Sequence, residues 1–374
     1  MDLDEVEMAT PVFLAQAPFA APKPPGRPPA RRSPDAAYAL IGADQALSME
    51  PGDPAVLIGL VDSGVALGHP ELTRHLRTGV DTCALESDAM PAGMQLLGPS
   101  SSLHRQAPMD DQGHGTAVAS IIAAQGLAMH QGLAGDTFVI PAKALAAVRQ
   151  EGHITAIGSL YDIDCAVKLA VDLGARVLNL SFGTPASALG PDDPLPHEDV
   201  VRYALARGCV LVAASGNNGE IDADDPFYPA ALPGVIAVGA VDEDGHPASF
   251  SSRGPHVALS APGEDIPIAA LSGYSLGNGT SFAAPFVTAA AALMVGRALR
   301  QATPLDGAAI RRLMVASARR FPRGLDARGC GTGVLDVPAA LRAVDVEVAA
   351  SDSRSELPSR SSTSFRSFQP TSPN

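Results

Sequence analysis

Positive charge is scarce in this sequence of 374 residues: 26 Lys and Arg stand against 40 Asp and Glu, a formal net charge of −14 at pH 7. Binding to nucleic acid depends on clustered Lys and Arg that neutralise phosphates, so no nucleic-acid partner is expected. Cysteine is scarce as well. Cys83, Cys165, Cys209 and Cys330 lack the short paired spacings of a zinc site or a small disulfide framework, and Cys165 and Cys209 sit in apolar surroundings that suit packed thiols. No membrane contact is expected either, because the apolar run at 288–295 is too short to span a bilayer. The first residues, Met1-Asp2-Leu3-Asp4-Glu5, are acidic where a secretory signal is basic, and no sustained apolar core follows them. A soluble, cytoplasmic monomer is the expectation.

What the sequence has is core-forming material: 46% hydrophobic against 18% charged residues, enough for one large domain. Residues 1–37 carry eight prolines and read as a disordered, extended arm. Residues 38–345 read as the folded domain, and the Ser-rich remainder, 346–374, as a disordered tail. Within the domain a helix is expected near 37–47, then a continuous apolar run, Val56-Leu57-Ile58-Gly59-Leu60-Val61, of the kind that forms a strand buried on both faces. A helix opening at His114 follows, then strands at 138–144, 176–180, 210–214 and 234–241 alternating with helices at 163–173 and 198–207. The segments 249–255 and 261–263 read as loops, 281 begins a long Ala-rich helix, and 307–318 is another helix. This alternation predicts an α/β fold with a mostly parallel central sheet and helices on both faces.

Four short motifs carry chemistry. Gly279-Thr280-Ser281-Phe282-Ala283 places one hydroxyl among small residues before the long helix, which makes Ser281 the candidate nucleophile. A serine hydroxyl is weak alone; it needs a base to take its proton and a third group to orient that base. His114, in Gly113-His114-Gly115-Thr116, and Asp62, at the carboxyl end of the first strand, supply both. Each residue by itself has an ordinary reading, as a turn, loop or helix-capping residue. Ala214-Ser215-Gly216-Asn217 follows a buried strand, and Asn217 either donates to a developing oxyanion or shapes a Gly-rich turn.

The order Asp62, His114, Ser281, with these flanking residues, resembles the subtilisin-like serine endopeptidases, the subtilases, over about residues 38–345. The resemblance implies a subtilisin-like fold and peptide-bond hydrolysis through an acyl-enzyme, with Asn217 as an oxyanion donor beside the N–H of Ser281. It implies that a protein or peptide substrate pairs with the backbone of Ser181 and Gly183, that Phe182 walls a side-chain pocket, and that Ala214, Ser215 and Gly216 also bind substrate. No cofactor is required. Glu71 stands where the family often has a calcium-binding Asp, yet residues 126–132 lack the Asn or Asp of a tight oxygen-rich site, so calcium is weakly supported and no metal ligand is assigned. Ala117, Ser120 and Phe286 depart from the family pattern without touching the triad.

The resemblance also places Phe227 near the base of the pocket for the residue before the scissile bond. A ring entering the pocket makes it shallow; a ring turned away lets Asp224 and Asp225 attract Lys or Arg, and a modest basic preference is the expectation. A catalytically silent peptide-binding protein on the same fold is the alternative reading. A nucleophile-elbow esterase fits less well, since it wants Gly-x-Ser-x-Gly and the order Ser, Asp, His.

Overall fold

The structure is a computed structural model, which describes residues 14–17, 35–87, 90–91, 93–98, 107–219 and 225–355. In chain order they form β1 (Leu14–Ala17), α1 (Ala36–Leu40), α2 (Ala43–Met49), β2 (Leu57–Asp62), β3 (Val80–Asp81), β4 (Met94–Leu96) and α3 (His114–Ala123). Next come β5 (Phe138–Lys143), β6 (Ala146–Gln150), β7 (His153–Ser159), α4 (Leu160–Asp172), β8 (Ala175–Leu180), β9 (Thr184–Pro185), α5 (Glu198–Ala206) and β10 (Val210–Ala214). The remainder is β11 (Phe227–Tyr228), β12 (Ile236–Val241), β13 (Val257–Pro262), β14 (Ile266–Ala269), β15 (Tyr274–Gly277), α6 (Thr280–Arg300), α7 (Gly307–Ser317) and α8 (Val337–Ser355).

Seven strands make one parallel sheet in the order β13-β12-β10-β8-β2-β5-β3. Its central strands read as continuous apolar runs because side chains alternate between two covered faces. In β10, Val210, Val212 and Ala214 join the core on the α3 and α6 side, while Leu211 and Ala213 join the core built with α4 and α5. Helix α6 runs through the first of these cores and is apolar all round, which fits a helix packed on every side. It is long and apolar enough to cross a bilayer, but 89% of its apolar window is buried inside the fold.

Several expectations change here. The single helix near 37–47 is two, α1 and α2, separated at Gly42, whose φ of 71° breaks the helical path. Ala261-Pro262, expected in a loop, ends strand β13. Residues 146–159 form the unforeseen hairpin β6–β7, turned at Glu151 and Gly152 with φ of 51° and 83°. Four residues of the supposedly disordered arm are ordered: β1 pairs antiparallel with β7, Leu14 to Ser159 through Ala17 to Ala156, and Ala15 is fully buried. The tail boundary also moves, since α8 continues past 345 to Ser355, with Val344 and Val348 one turn apart on its buried face. The rest of the arm through 34, and the tail from 356, lie outside the described residues.

Candidate active site

The predicted residues gather at the carboxyl edge of the parallel sheet, where α/β folds place their sites. Asp62 ends β2, residues 181–183 follow its neighbour β8, and residues 215–217 follow β10 on the far side of β8. Helix α3 brings His114 down onto this edge at its first residue. The approach is close enough that a Cβ on Gly115 would lie 2.1 Å from the Gly64 carbonyl oxygen and 3.1 Å from the Asp62 Cβ, so glycine is required there.

Asp62 is fully buried and accepts two hydrogen bonds on Oδ1, from the Ser63 N–H at 2.7 Å and from His114 Nδ1 at 2.8 Å. The Nδ1 proton is therefore committed to Asp62, which leaves Nε2 as the lone-pair nitrogen of the neutral ring. Burial pushes the His114 pKa down, but the charge and hydrogen bond of Asp62, with the charge of Asp110, more than offset it and leave it raised. Nε2 is buried without a hydrogen-bond partner. His114, Asn217 and Ser281 border one cleft of about 450 Å3, and the Ser281 hydroxyl at its wall donates to the Ser181 carbonyl at 3.3 Å.

Asn217 is oriented by Thr280. Its Oδ1 accepts from the Thr280 N–H at 2.9 Å and the Thr280 hydroxyl at 2.9 Å, and because an N–H can only donate, the Nδ2 amide is left to face the cleft. Ser281 is anchored from behind. Pro285 has no N–H to donate to the Ser281 carbonyl one turn back, and the Ser181 hydroxyl fills that place at 3.0 Å. A buried chain of bonds extends from there: Asn179 Nδ2 donates to Ser181 Oγ at 2.9 Å, and Thr288 Oγ1 donates to Asn179 Oδ1 at 2.8 Å, tying α6 to β8. Asp110 went unnoticed in the sequence, four residues before His114. Its carboxylate accepts from the N–H groups of Gln112, Gly113 and Thr116 and from the Ser63 hydroxyl, fixing the start of α3 and the loop after Asp62 together.

Residues 53–333 match the model of the subtilase family. The chain belongs to the subtilases. Among its relatives, a thermophilic serine proteinase from Bacillus sp. (strain AK1) is 35% identical over 68% of this chain, and the chain spans 55% of that relative's length. Subtilisin DY from Bacillus licheniformis is 30% identical over 80% of the chain and 96% of its own length. Among solved structures, the prenylagaramide maturation protease PagA superposes with a TM-score of 0.63 at 26% identity, covering 81% of this chain and 98% of that one. The patellamide maturation protease PatA gives 0.61 at 28% identity over 79% and 98%.

In this subtilase the predicted substrate edge is already engaged. The Gln16 N–H donates to the Gly183 carbonyl at 3.2 Å and the Gly183 N–H donates to the Gln16 carbonyl at 3.0 Å, so β1 lies between β7 and the segment after β8. Gln16 Nε2 adds a bond to Thr155 Oγ1 at 3.0 Å. Phe182 does not wall a pocket: it is 1% exposed, packed in the core beside α4 and edge-on to His197. Backbone alternation explains this, since Ser181 and Phe182 point to opposite sides of the same extended segment. Asp225 is likewise occupied, accepting from the Ser187 N–H and hydroxyl at 2.7 Å each, while Asp222 and Asp224 lie outside the described residues.

The family's activity needs no organic cofactor, and its members often bind calcium. At Glu71 the donor set of this subtilase does not fit a cation. The buried carboxylate accepts from the N–H groups of Gly126 (2.9 Å), Leu127 (3.1 Å) and Ala128 (2.7 Å) and from the Tyr274 hydroxyl (3.2 Å). Burial alone would raise its pKa, but these bonds hold it below the ordinary carboxylate range. The loop therefore presents N–H donors to the Glu71 anion, where a cation site would need oxygen acceptors. Among the described residues, Asp242, Asp244 and His246 bring donor atoms within 4.8 Å of one another, but Asp242 Oδ1 is used by the N–H groups of the other two. None of the four cysteines is in a disulfide.

Proposed function

We propose that this chain is a serine endopeptidase that hydrolyses peptide bonds through an acyl-enzyme. The observation that carries the reading is the buried Asp62–His114 pair at 2.8 Å, whose Nε2 has no partner and shares a cleft with Ser281. Rotation about the Ser281 Cα–Cβ bond exchanges the Ser181 carbonyl for Nε2. His114 then takes the hydroxyl proton as Oγ attacks the scissile carbonyl, and Asp62 stabilises the imidazolium that forms. Asn217 Nδ2 and the Ser281 N–H stabilise the oxyanion. His114 returns its proton to the leaving amine, the acyl-enzyme remains, and water activated by the same imidazole releases the acid.

Peptides or proteins are the substrate class, because the Gly183 backbone already exchanges two hydrogen bonds with an extended segment at Gln16, the pairing that a substrate strand would take over. A fluorophosphonate probe tests the reading. Labelling of the wild type at Ser281, lost in Ser281→Ala and His114→Ala, together with peptide cleavage that disappears in both variants, is the expected result. A folded wild type that binds peptides and takes no label would instead be the catalytically silent binding protein.

A further inference from the structure

We propose that Phe227 is the floor of the pocket for the residue before the scissile bond, and that it restricts this position to small side chains; the proposal rests on the peptidase reading. A peptide extended along residues 181–183 with its carbonyl at Ser281 sends that side chain between two backbone segments, 181–183 after β8 and 214–216 after β10. These strands are adjacent and parallel, so the segments leave the sheet side by side. Each has a glycine facing the gap. A Cβ on Gly216 would lie 2.5 Å from Phe227 Cδ2 and 2.7 Å from Cε2, and a Cβ on Gly183 would lie 3.1 Å from Phe227 Cδ1. Opposite edges of one ring thus press on both glycines, and the slot opened by two missing side chains is filled by the ring.

The ring is fixed in place by its backbone. Strand β11 pairs antiparallel with β9, which follows Gly183 directly, with Phe227 opposite Pro185 and Tyr228 opposite Thr184. The Phe227 carbonyl accepts from the Ala231 N–H at 2.9 Å, and the neighbouring Pro226 carbonyl accepts from the Ala186 N–H at 3.0 Å. Both Phe227 and Tyr228 are half-buried, but Tyr228 packs against the core beside α4 while the Phe227 ring lies between Gly183 and Gly216. With Asp225 tied to Ser187, the expected preference for Lys or Arg loses that carboxylate, and side-chain size becomes the selective property.

Paired fluorogenic peptides that differ only in Ala, Phe or Arg before the cut test the assignment, with active sites titrated by fluorophosphonate. Wild type is expected to favour Ala over Phe and over Arg in kcat/KM. Phe227→Gly is expected to raise the Phe-to-Ala ratio by roughly 100-fold, the scale on which pockets discriminate apolar groups, with Phe227→Val in between. Titratable wild type that cuts equally well after Phe and Ala, or a labelled Phe227→Gly with an unchanged ratio, overturns the floor assignment and leaves the peptidase reading standing. Wild type that takes no label removes both. Should Phe227→Gly fail to fold, Phe227→Val decides, since it places a strand-favouring β-branched residue in β11 while removing the ring.

Discussion

Gln16→Pro should make this enzyme bind peptides more tightly without altering its chemistry. Proline at 16 removes the N–H that donates to the Gly183 carbonyl at 3.2 Å and the side chain that reaches Thr155. Each such bond contributes a net ~0.5–1.5 kcal/mol, so β1 loses about 1–3 kcal/mol of its hold on the cleft. Ordering one residue of backbone costs roughly 1–2 kcal/mol, which for four residues consumes most of what the strand gains, so β1 is held marginally and a loss of that size displaces it. An incoming peptide would use the same Gly183 groups, and every ~1.4 kcal/mol of relieved competition is tenfold in apparent affinity. The expected result is a KM about tenfold lower for a peptide long enough to reach Gly183, with kcat unchanged, because saturating substrate displaces the arm in either protein. Removing residues 1–34 should give the same KM and a protein that still folds, with α1 intact. Steady-state kinetics on peptides of two and four residues before the cut is the assay. An unchanged KM in both variants, or a lower kcat in either, would show that β1 supports the fold and does not compete with substrate.

Asn217→Ala should lower kcat by roughly 10²–10³ with little change in KM, the magnitude known for subtilisin's own oxyanion asparagine; an unchanged kcat would reduce Asn217 to a partner of Thr280. Because the His114 pKa is raised, its proton stays on to a higher pH, so kcat/KM should fall on acidification through a value above the ordinary histidine range of about 6.5. Asp62→Asn should move that limb downward and cut kcat by roughly 10⁴, and a limb that does not move would remove Asp62 as its cause. Glu71→Gln should lower stability by roughly 1.5–3 kcal/mol, the contribution of hydrogen bonds to a charged group, and added calcium should not restore it. The folded carboxyl is depressed, so the stabilisation is present above its unfolded pKa of about 4.3 and is lost as pH falls through the lower folded value; thermal melts of wild type and variant should converge there. Convergence at neutral pH instead would show that the charge does not matter.

The parallel sheet and the candidate residues at its carboxyl edge were readable from contiguous residues. Strands buried on both faces must be apolar throughout, and the glycines around His114 and Ser281 meet local steric demands, so both are written in contiguous residues. Asp62, His114 and Ser281 could be named as candidates for that reason, and Asn217 through the family resemblance. The rest depends on pairings between segments far apart in the chain. Gln16 against Gly183 was invisible because a Pro-rich stretch has no core-forming pattern of its own, and the pairing at Gln16 draws its hydrogen bonds from a strand edge far along the chain. Phe182 could not be assigned to core or cleft, since a single residue at a strand exit has either orientation until its neighbours are packed. Phe227 was a ring with two open fates, and the two glycines that receive it come from different loops. Glu71 looked like half of a cation site, and became the centre of a ring of N–H donors only when residues 126–128 folded over it, because backbone dipoles leave no trace in side-chain identity.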